Sequence, residues 1–291
     1  MIKGMIIKGI GGFYYIKTDH ATYECKARGR FRKERVTPLV GDRVMISIQS
    51  GTENGVIEEI LPRTTELVRP PVANVNQAII VIAVNKPEPN LCLLDRFLAT
   101  IEKEGLPIII CINKVDLDTN HNFGRISSIY LNAGYDVIHT STKKNIGIDI
   151  LRAKLKDKIT VFAGPSGVGK SSLLNAIQSS LSLKTGEISM KNNRGKHTTR
   201  HVELMELDYG GWVVDTPGFS SLDMDSCTEE ELQYCFKEFE ALIGGCKFQG
   251  CMHLNEPNCV IKSEIEKGRI SQSRYISYIQ LLEEIQKNRR Y

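Results

Sequence analysis

The chain has 291 residues, 41% of them hydrophobic and 25% charged, with a formal net charge of +4. That length and composition suit a globular chain of two or three domains with ample material for a core. No run of about 18 apolar residues occurs, which excludes a membrane-spanning helix. The start, MIKGMIIKGIGGF, lacks a continuous apolar core and a small-residue cleavage site, so the cytoplasm is the expected location.

Residues 1–62 read as a small β-barrel domain. MIIKGIGGFYYI, TYECKA, DRVMISI and NGVIEEI are short, rich in β-branched and aromatic residues, and separated by Gly, Asp or Asn turns. Basic side chains gather at Lys26, Arg28, Arg30, Arg32, Lys33 and Arg35 against one acid, Glu34. Such a stretch either contacts nucleic-acid phosphates or forms a solvated basic loop. Pro62, Pro70 and Pro71 mark the passage to the next region.

Residues 63–222 alternate between strand and helix patterns. NQAIIVIAV is a continuous apolar run, as in a parallel strand buried on both faces. Leu91, Leu94, Phe97, Leu98 and Ile101 then recur at helical spacing. Strand PIIICIN, a helix near 122–133, strand YDVIHTS, a helix near 147–157 and strand ITVFAG follow. A helix after Gly169 and strands around 200–207 and 211–215 complete an α/β domain with a mostly parallel sheet. Residues 223–291 read as helical apart from a cysteine cluster, with helical spacing running from Ile261 to Arg290.

Gly164, Pro165, Ser166, Gly167, Val168, Gly169, Lys170 and Ser171 match the P-loop pattern, with Ser172 beside them. The segment sits between a strand and a helix, where glycines let backbone N–H groups approach phosphates and the helix dipole favours them. Lys170 should reach the β and γ phosphates and Ser171 should ligate Mg²⁺. Asp215-Thr216-Pro217-Gly218 ends the strand Trp212-Val213-Val214: Asp215 is a candidate magnesium carboxylate and the Gly218 N–H a γ-phosphate donor. Asn113-Lys114-Val115-Asp116 decides the base. The Asp116 carboxylate can accept from guanine N1–H and the 2-amino group, whereas adenine offers neither donor and would leave a buried carboxylate unpaired. Lys114 would cover the base plane, Asn113 would tie the loops together, and Ser141, within Thr140-Ser141-Thr142, would add contacts to the guanine oxygen.

These motifs resemble those of the translation-factor-related GTPases in an altered order. The base motif and its companion precede the P-loop, and Asp-Thr-Pro-Gly comes last, which describes a circular permutation. Phe219 occupies the position where many GTPases carry a water-orienting Gln, so intrinsic turnover should be slow. Gly195-Lys196-His197-Thr198-Thr199 resembles switch I. Thr198 or Thr199 is a candidate Mg²⁺ ligand, and His197 is either the water-positioning catalytic residue or a solvated loop residue.

Cys246, Cys251, His253 and Cys259 offer three thiolates and one imidazole, a set suited to one structural, tetrahedral Zn²⁺. The other cysteines read as small core residues of a reducing compartment.

The order NKVD, GPSGVGKS, GKHTT and DTPGF, followed by CKFQGCMHLNEPNC, resembles the RsgA (YjeQ/YloQ) family of ribosome small-subunit-dependent GTPases over essentially the whole chain. The resemblance implies an α/β P-loop GTPase domain, circularly permuted, with an N-terminal OB-fold and a C-terminal helical zinc-binding domain (223–291). It further implies binding to the 30S subunit and 16S rRNA late in assembly, subunit-stimulated hydrolysis of GTP, and an RNA-facing role for residues 26–35. A monomer without DNA or membrane partners is expected. The residues alone reach only a Mg²⁺-dependent GTPase with RNA contacts; the alternative is an RNA-binding adaptor for which GTP is only a conformational ligand.

Overall fold

The computed structural model describes residues 1–48, 54–68, 70–178, 180, 202–215, 224 and 227–288. In chain order the first elements are β1 (Ile2–Ile10), β2 (Phe13–Lys17), β3 (Thr22–Ala27), α1 (Gly29–Lys33), β4 (Arg43–Ile48), β5 (Asn54–Ile60), β6 (Glu66–Leu67) and β7 (Val72–Ala73). Then come β8 (Gln77–Ala83), α2 (Leu91–Lys103), β9 (Ile108–Asn113), α3 (Asn122–Asn132), β10 (Asp136–His139), α4 (Ile148–Leu155), β11 (Ile159–Ala163) and α5 (Lys170–Ile177). The last are β12 (Glu203–Glu206), β13 (Trp212–Asp215), α6 (Glu229–Leu232), α7 (Lys237–Glu240), α8 (Val260–Glu266) and α9 (Gln272–Asn288). The chain divides into two compact units, one of residues 1–77, 153–161 and 187–219, the other of 78–152, 162–186 and 220–291.

In the first unit, strands neighbour one another in the order β1-β2-β3-β5-β4, and β4 pairs back onto β1. The sheet therefore closes into a five-stranded barrel, which removes its free edges. The inward side chains Ile6, Ile16, Cys25, Val44, Ile46 and Ile57 are fully buried, as the two-residue period of a half-buried strand requires. β1 also reaches outward: Lys8 is registered opposite Glu203 of β12, with an ion pair of 2.7 Å, and β12 continues antiparallel to β13, which runs parallel to β11. Barrel and α/β strands thus share one hydrogen-bonded ladder.

In the second unit, β8, β9 and β10 are parallel neighbours in the order β10-β9-β8. Every residue of β8 and β9 is buried, the physical reason their sequences read as unbroken apolar runs. α2 starts where Asn90 Oδ1 accepts the Leu93 N–H, and it buries Leu94, Phe97, Leu98 and Ile101. The C-terminal helices enclose a core containing Phe236, Phe239, Tyr278, Leu281, Leu282 and Ile285.

The stretch of helical spacing from Ile261 onward forms two helices, α8 and α9, separated at Gly268. There φ is +72°, and the Arg269 and Ile270 N–H groups both turn back to Glu264 O at 2.9 and 3.3 Å. A left-handed glycine ends a helix by bonding its last carbonyls, and apolar periodicity carries no trace of it. Among the described residues no helix is long and apolar enough to cross a membrane.

Candidate nucleotide site and metal centre

β9 delivers the Asn113–Asp116 loop and β11 delivers the phosphate loop. Asn113 is buried, and its Nδ2 donates to Val168 O at 2.8 Å. Thr140 Oγ1, also buried, donates to Asn113 Oδ1 at 3.1 Å. Lys114 takes a left-handed conformation and turns its ammonium onto Gly167 O at 2.7 Å and onto Lys86 O. Burial by these walls lowers its pKa. Ser141 Oγ donates to Asp116 Oδ1 and accepts the Lys144 N–H at 3.1 Å, so one carboxylate oxygen is held while the other remains for a ligand. Val115 N–H bonds Thr140 O, joining the loops at the backbone. The structure therefore brings Asn113, Lys114, Val115, Asp116 and Ser141 together with Gly167 and Val168.

The phosphate loop needs its glycines for space as well as for conformation. Gly164 has φ +130°, and a Cβ there would lie 2.1 Å from Val81 O. Gly169, at φ +98°, would place a Cβ 2.5 Å from Asn113 Nδ2. Gly169 also precedes α5 without any side-chain cap, which leaves the N–H groups at the head of α5 for an anion, beside Ser171 and Ser172. The Lys170 ammonium curls back onto Gly164 O and Pro165 O at 2.7 and 2.8 Å, and burial lowers its pKa to about 8. An arriving phosphate would replace two neutral carbonyls with full negative charge. Ser166 is exposed at the tip of the loop.

Asp215 closes β13. His197, Thr198, Thr199, Gly218 and Phe219 lie outside the described residues.

The second constellation is compact. The donor atoms of Cys246, Cys251, His253 and Cys259 all lie within 4.8 Å of one another. Cys246 Sγ is 3.7 Å from His253 Nδ1 and 3.9 Å from Cys259 Sγ, and His253 Nδ1 is 3.3 Å from Cys259 Sγ. Tetrahedral sulfur and nitrogen ligands at zinc bond lengths stand about 3.5–3.8 Å apart, so the set fits that ion. Gln233 Oε1 lies 3.1 Å from His253 Nε2, which presents Nδ1 as the free lone pair once Nε2 carries the proton. Burial lowers the His253 pKa and keeps the imidazole neutral. Burial, followed by the crowding of neighbouring thiols, pushes Cys251 up to about 12; a divalent cation reverses that cost by stabilising thiolates. The Val260 N–H points at Cys246 Sγ at 3.4 Å. Glu256 accepts the Met252 and Leu254 N–H groups at 2.7 and 2.8 Å and so shapes the loop around His253.

The basic stretch surrounds α1, whose Phe31 is buried while Lys26, Arg28, Arg30, Arg32, Lys33 and Arg35 are exposed. Three of the six are engaged locally. Arg28 pairs with the Glu58 carboxylate at 2.7 Å and Arg30 bonds the Glu58 carbonyl. The Lys26 ammonium stands 4.8 Å over the Phe13 ring, registered opposite it on β2.

Sequence reasoning missed two participants. Lys86 acts through its carbonyl, which has no side-chain signature. Gln233 meets His253 only through tertiary packing.

Comparisons with known proteins show the family. The model of the RsgA GTPase matches residues 60–225, and that of the RsgA N-terminal domain matches residues 3–57. The small ribosomal subunit biogenesis GTPase RsgA of Alkaliphilus metalliredigens is 52% identical, covering 100% of both chains. Its counterpart in Caldanaerobacter subterraneus subsp. tengcongensis is 49% identical over 100% of this chain and 98% of its own. Among solved structures, YjeQ from Thermotoga maritima superposes with TM-score 0.83 at 36% identity, covering 98% of both chains. YloQ, a circularly permuted GTPase, superposes with TM-score 0.82 at 41% identity, covering 99% of this chain and 96% of its own. Family models that match residues 3–57 and 60–225, with relatives and solved structures alike along the whole length, mean that the chain belongs to the RsgA family of circularly permuted GTPases.

Proposed function

We propose that this GTPase acts on the small (30S) ribosomal subunit, assisting its late maturation and hydrolysing GTP faster when bound to it. The observation that carries the nucleotide part is the pair of bonds from Asn113 to Val168 and from Lys114 to Gly167, which joins base recognition to phosphate recognition. In this reading Asp116 selects guanine with Ser141 beside it, and residues 164–172 with Gly218 hold the phosphates. Ser171, Asp215 and Thr198 or Thr199 serve Mg²⁺. The Cys246–Cys251–His253–Cys259 set holds one structural Zn²⁺. The exposed basic side chains around α1 face 16S rRNA from a domain of residues 1–62, ahead of a GTPase domain of 63–222 and a zinc domain of 223–291. The protein works in the cytoplasm as a monomer, with no DNA or membrane partner. The names of the two relatives above, small ribosomal subunit biogenesis GTPases, support the choice of partner.

Co-sedimentation with purified 30S subunits, in a non-hydrolysable GTP analogue and in GDP, tests the partner. Retention in the analogue and release in GDP is expected, together with GTP turnover that rises on adding subunits. Binding to 30S without any stimulation would favour the adaptor reading. His197→Ala should keep GTP binding and lose most of the stimulated turnover; normal stimulated turnover in that variant removes His197 from the mechanism.

A further inference from the structure

Arg274 is 1% exposed, and nothing in the nucleotide reading uses it. It sits on α9, where Nη1 donates to Asp95 Oδ1 of α2 at 2.7 Å. Its Nε and Nη2 donate to the two Glu238 oxygens of α7 at 2.7 and 2.9 Å. The guanidinium lies 4.5 Å over the Phe236 ring. Asp95 Oδ1 also accepts the Tyr130 hydroxyl of α3 at 2.8 Å. One buried cation thus joins α2, α3, α7 and α9. Removing a single partner from such a group leaves a buried charge uncompensated, so the four helices cannot shift independently without large cost.

The two ends of this node carry chemistry. On one side, α2 and α3 flank β9, which ends in Asn113, and the segment leading into α2 provides the Lys86 carbonyl that holds the Lys114 ammonium. On the other side, the residue after Arg274 is Tyr275, whose hydroxyl donates to His253 O at 2.6 Å. One turn on, the Tyr278 hydroxyl donates to Met252 O at 3.1 Å. These carbonyls belong to the metal-site histidine and the residue before it. From the exposed Lys114–Lys86 bond the chain itself leads into α2, and from Asp95 onward buried polar contacts continue through Arg274 and along α9 to the Cys3His loop.

We propose that Arg274 is a positioning residue that couples the guanine-reading loop to the metal loop, so that guanine nucleotide and zinc each strengthen the binding of the other. The inference rests on the reading of residues 113–116 as the guanine site and of the Cys3His set as a zinc site. A nucleotide that fixes Lys114 also fixes the lead-in to α2; α2 holds Arg274 through Asp95, and α9 then holds the backbone carbonyls on either side of the His253 α-carbon. Linkage makes the effect equal in both directions.

The test uses the full chain. Zinc affinity is measured by competition with pyridylazoresorcinol with and without saturating GDP, and GDP affinity is measured on zinc-loaded and zinc-stripped protein. The expected coupling is about fivefold or more, the same factor in each direction. Tyr275→Phe with Tyr278→Phe deletes two hydroxyls and keeps both rings, and should bring the factor close to one. Asp95→Asn, Glu238→Gln and Arg274→Met made together remove the charges without leaving one unpaired, and should do the same. The tyrosine pair keeps the inference falsifiable if the triple variant does not fold. Equal zinc affinity with and without GDP in the unsubstituted protein overturns the coupling, as does a full coupling factor in the tyrosine variant. Failure to bind GDP at all overturns the guanine-site reading and the coupling together, whereas independent binding of GDP and zinc overturns the coupling alone.

Discussion

Asn113 and Val168 are separated by 55 residues of chain and joined by one hydrogen bond of 2.8 Å, from the side-chain amide of the base loop to a carbonyl of the phosphate loop. The bond ties together the loops that follow β9 and β11. A hydrogen bond in space is indifferent to which loop comes first in the chain, so the proposed guanine and phosphate sites can meet in the permuted order.

Asn113→Ala removes the donor to Val168 O and the acceptor for Thr140 Oγ1, leaving both buried groups without that partner. An unmade buried hydrogen bond costs about 1–3 kcal/mol, so GDP affinity should fall roughly 10- to 100-fold. Titration with a fluorescent GDP analogue measures it, and an unchanged affinity would contradict the role given to this side chain.

Asp116→Asn replaces an acceptor with a donor where guanine presents donors. Xanthine presents a carbonyl at that ring position. The variant should lose guanine-nucleotide affinity by roughly 100-fold or more and gain affinity for xanthine nucleotides. Competition of XDP against labelled GDP reads the exchange; continued preference for GDP would place base selection elsewhere.

Lys170 gives a signed pH dependence. Its pKa of about 8 in the folded, nucleotide-free protein lies below the ordinary value of 10.5. Between these two values the unfolded chain binds more protons, so stability of the free protein rises with pH through that window from this group and is flat below it. Bound phosphates favour the ammonium, so nucleotide binding should take up a proton near pH 8, and affinity should decline at higher pH. Calorimetry in buffers of different ionisation enthalpy detects the uptake, and a buffer-independent heat at pH 8 would rule it out.

Metal removal should act beyond the four ligands. Cys259 is the residue immediately before α8, and Tyr275 and Tyr278 of α9 bond the backbone around His253, so the loop secures two helices. Structural zinc contributes on the order of 10 kcal/mol to folding in small zinc modules. Stripping with a chelator, or Cys259→Ser, should lower the melting temperature and speed amide exchange across 246–282. Exchange unchanged outside 246–259 would show that the loop is held without its metal.

Much of this protein was determined by local sequence. Strand β8 is apolar from Ala78 to Ala83 because it is buried on both faces, and Gly164 and Gly169 stand where no side chain fits. The candidate metal set was equally visible, since Cys246, Cys251, His253 and Cys259 fall within one short segment. Tertiary structure alone decided which distant pieces meet. β4 closes onto β1, Lys8 is registered opposite Glu203, Gln233 orients His253, and Arg274 gathers Asp95 and Glu238. It also decided that the last helical stretch breaks at Gly268. Periodicity and motif spacing report the environment each residue requires, because that requirement is local. Partners across the fold are chosen by packing and by the need to satisfy buried polar groups, and those constraints act between elements that the linear order of residues does not place together.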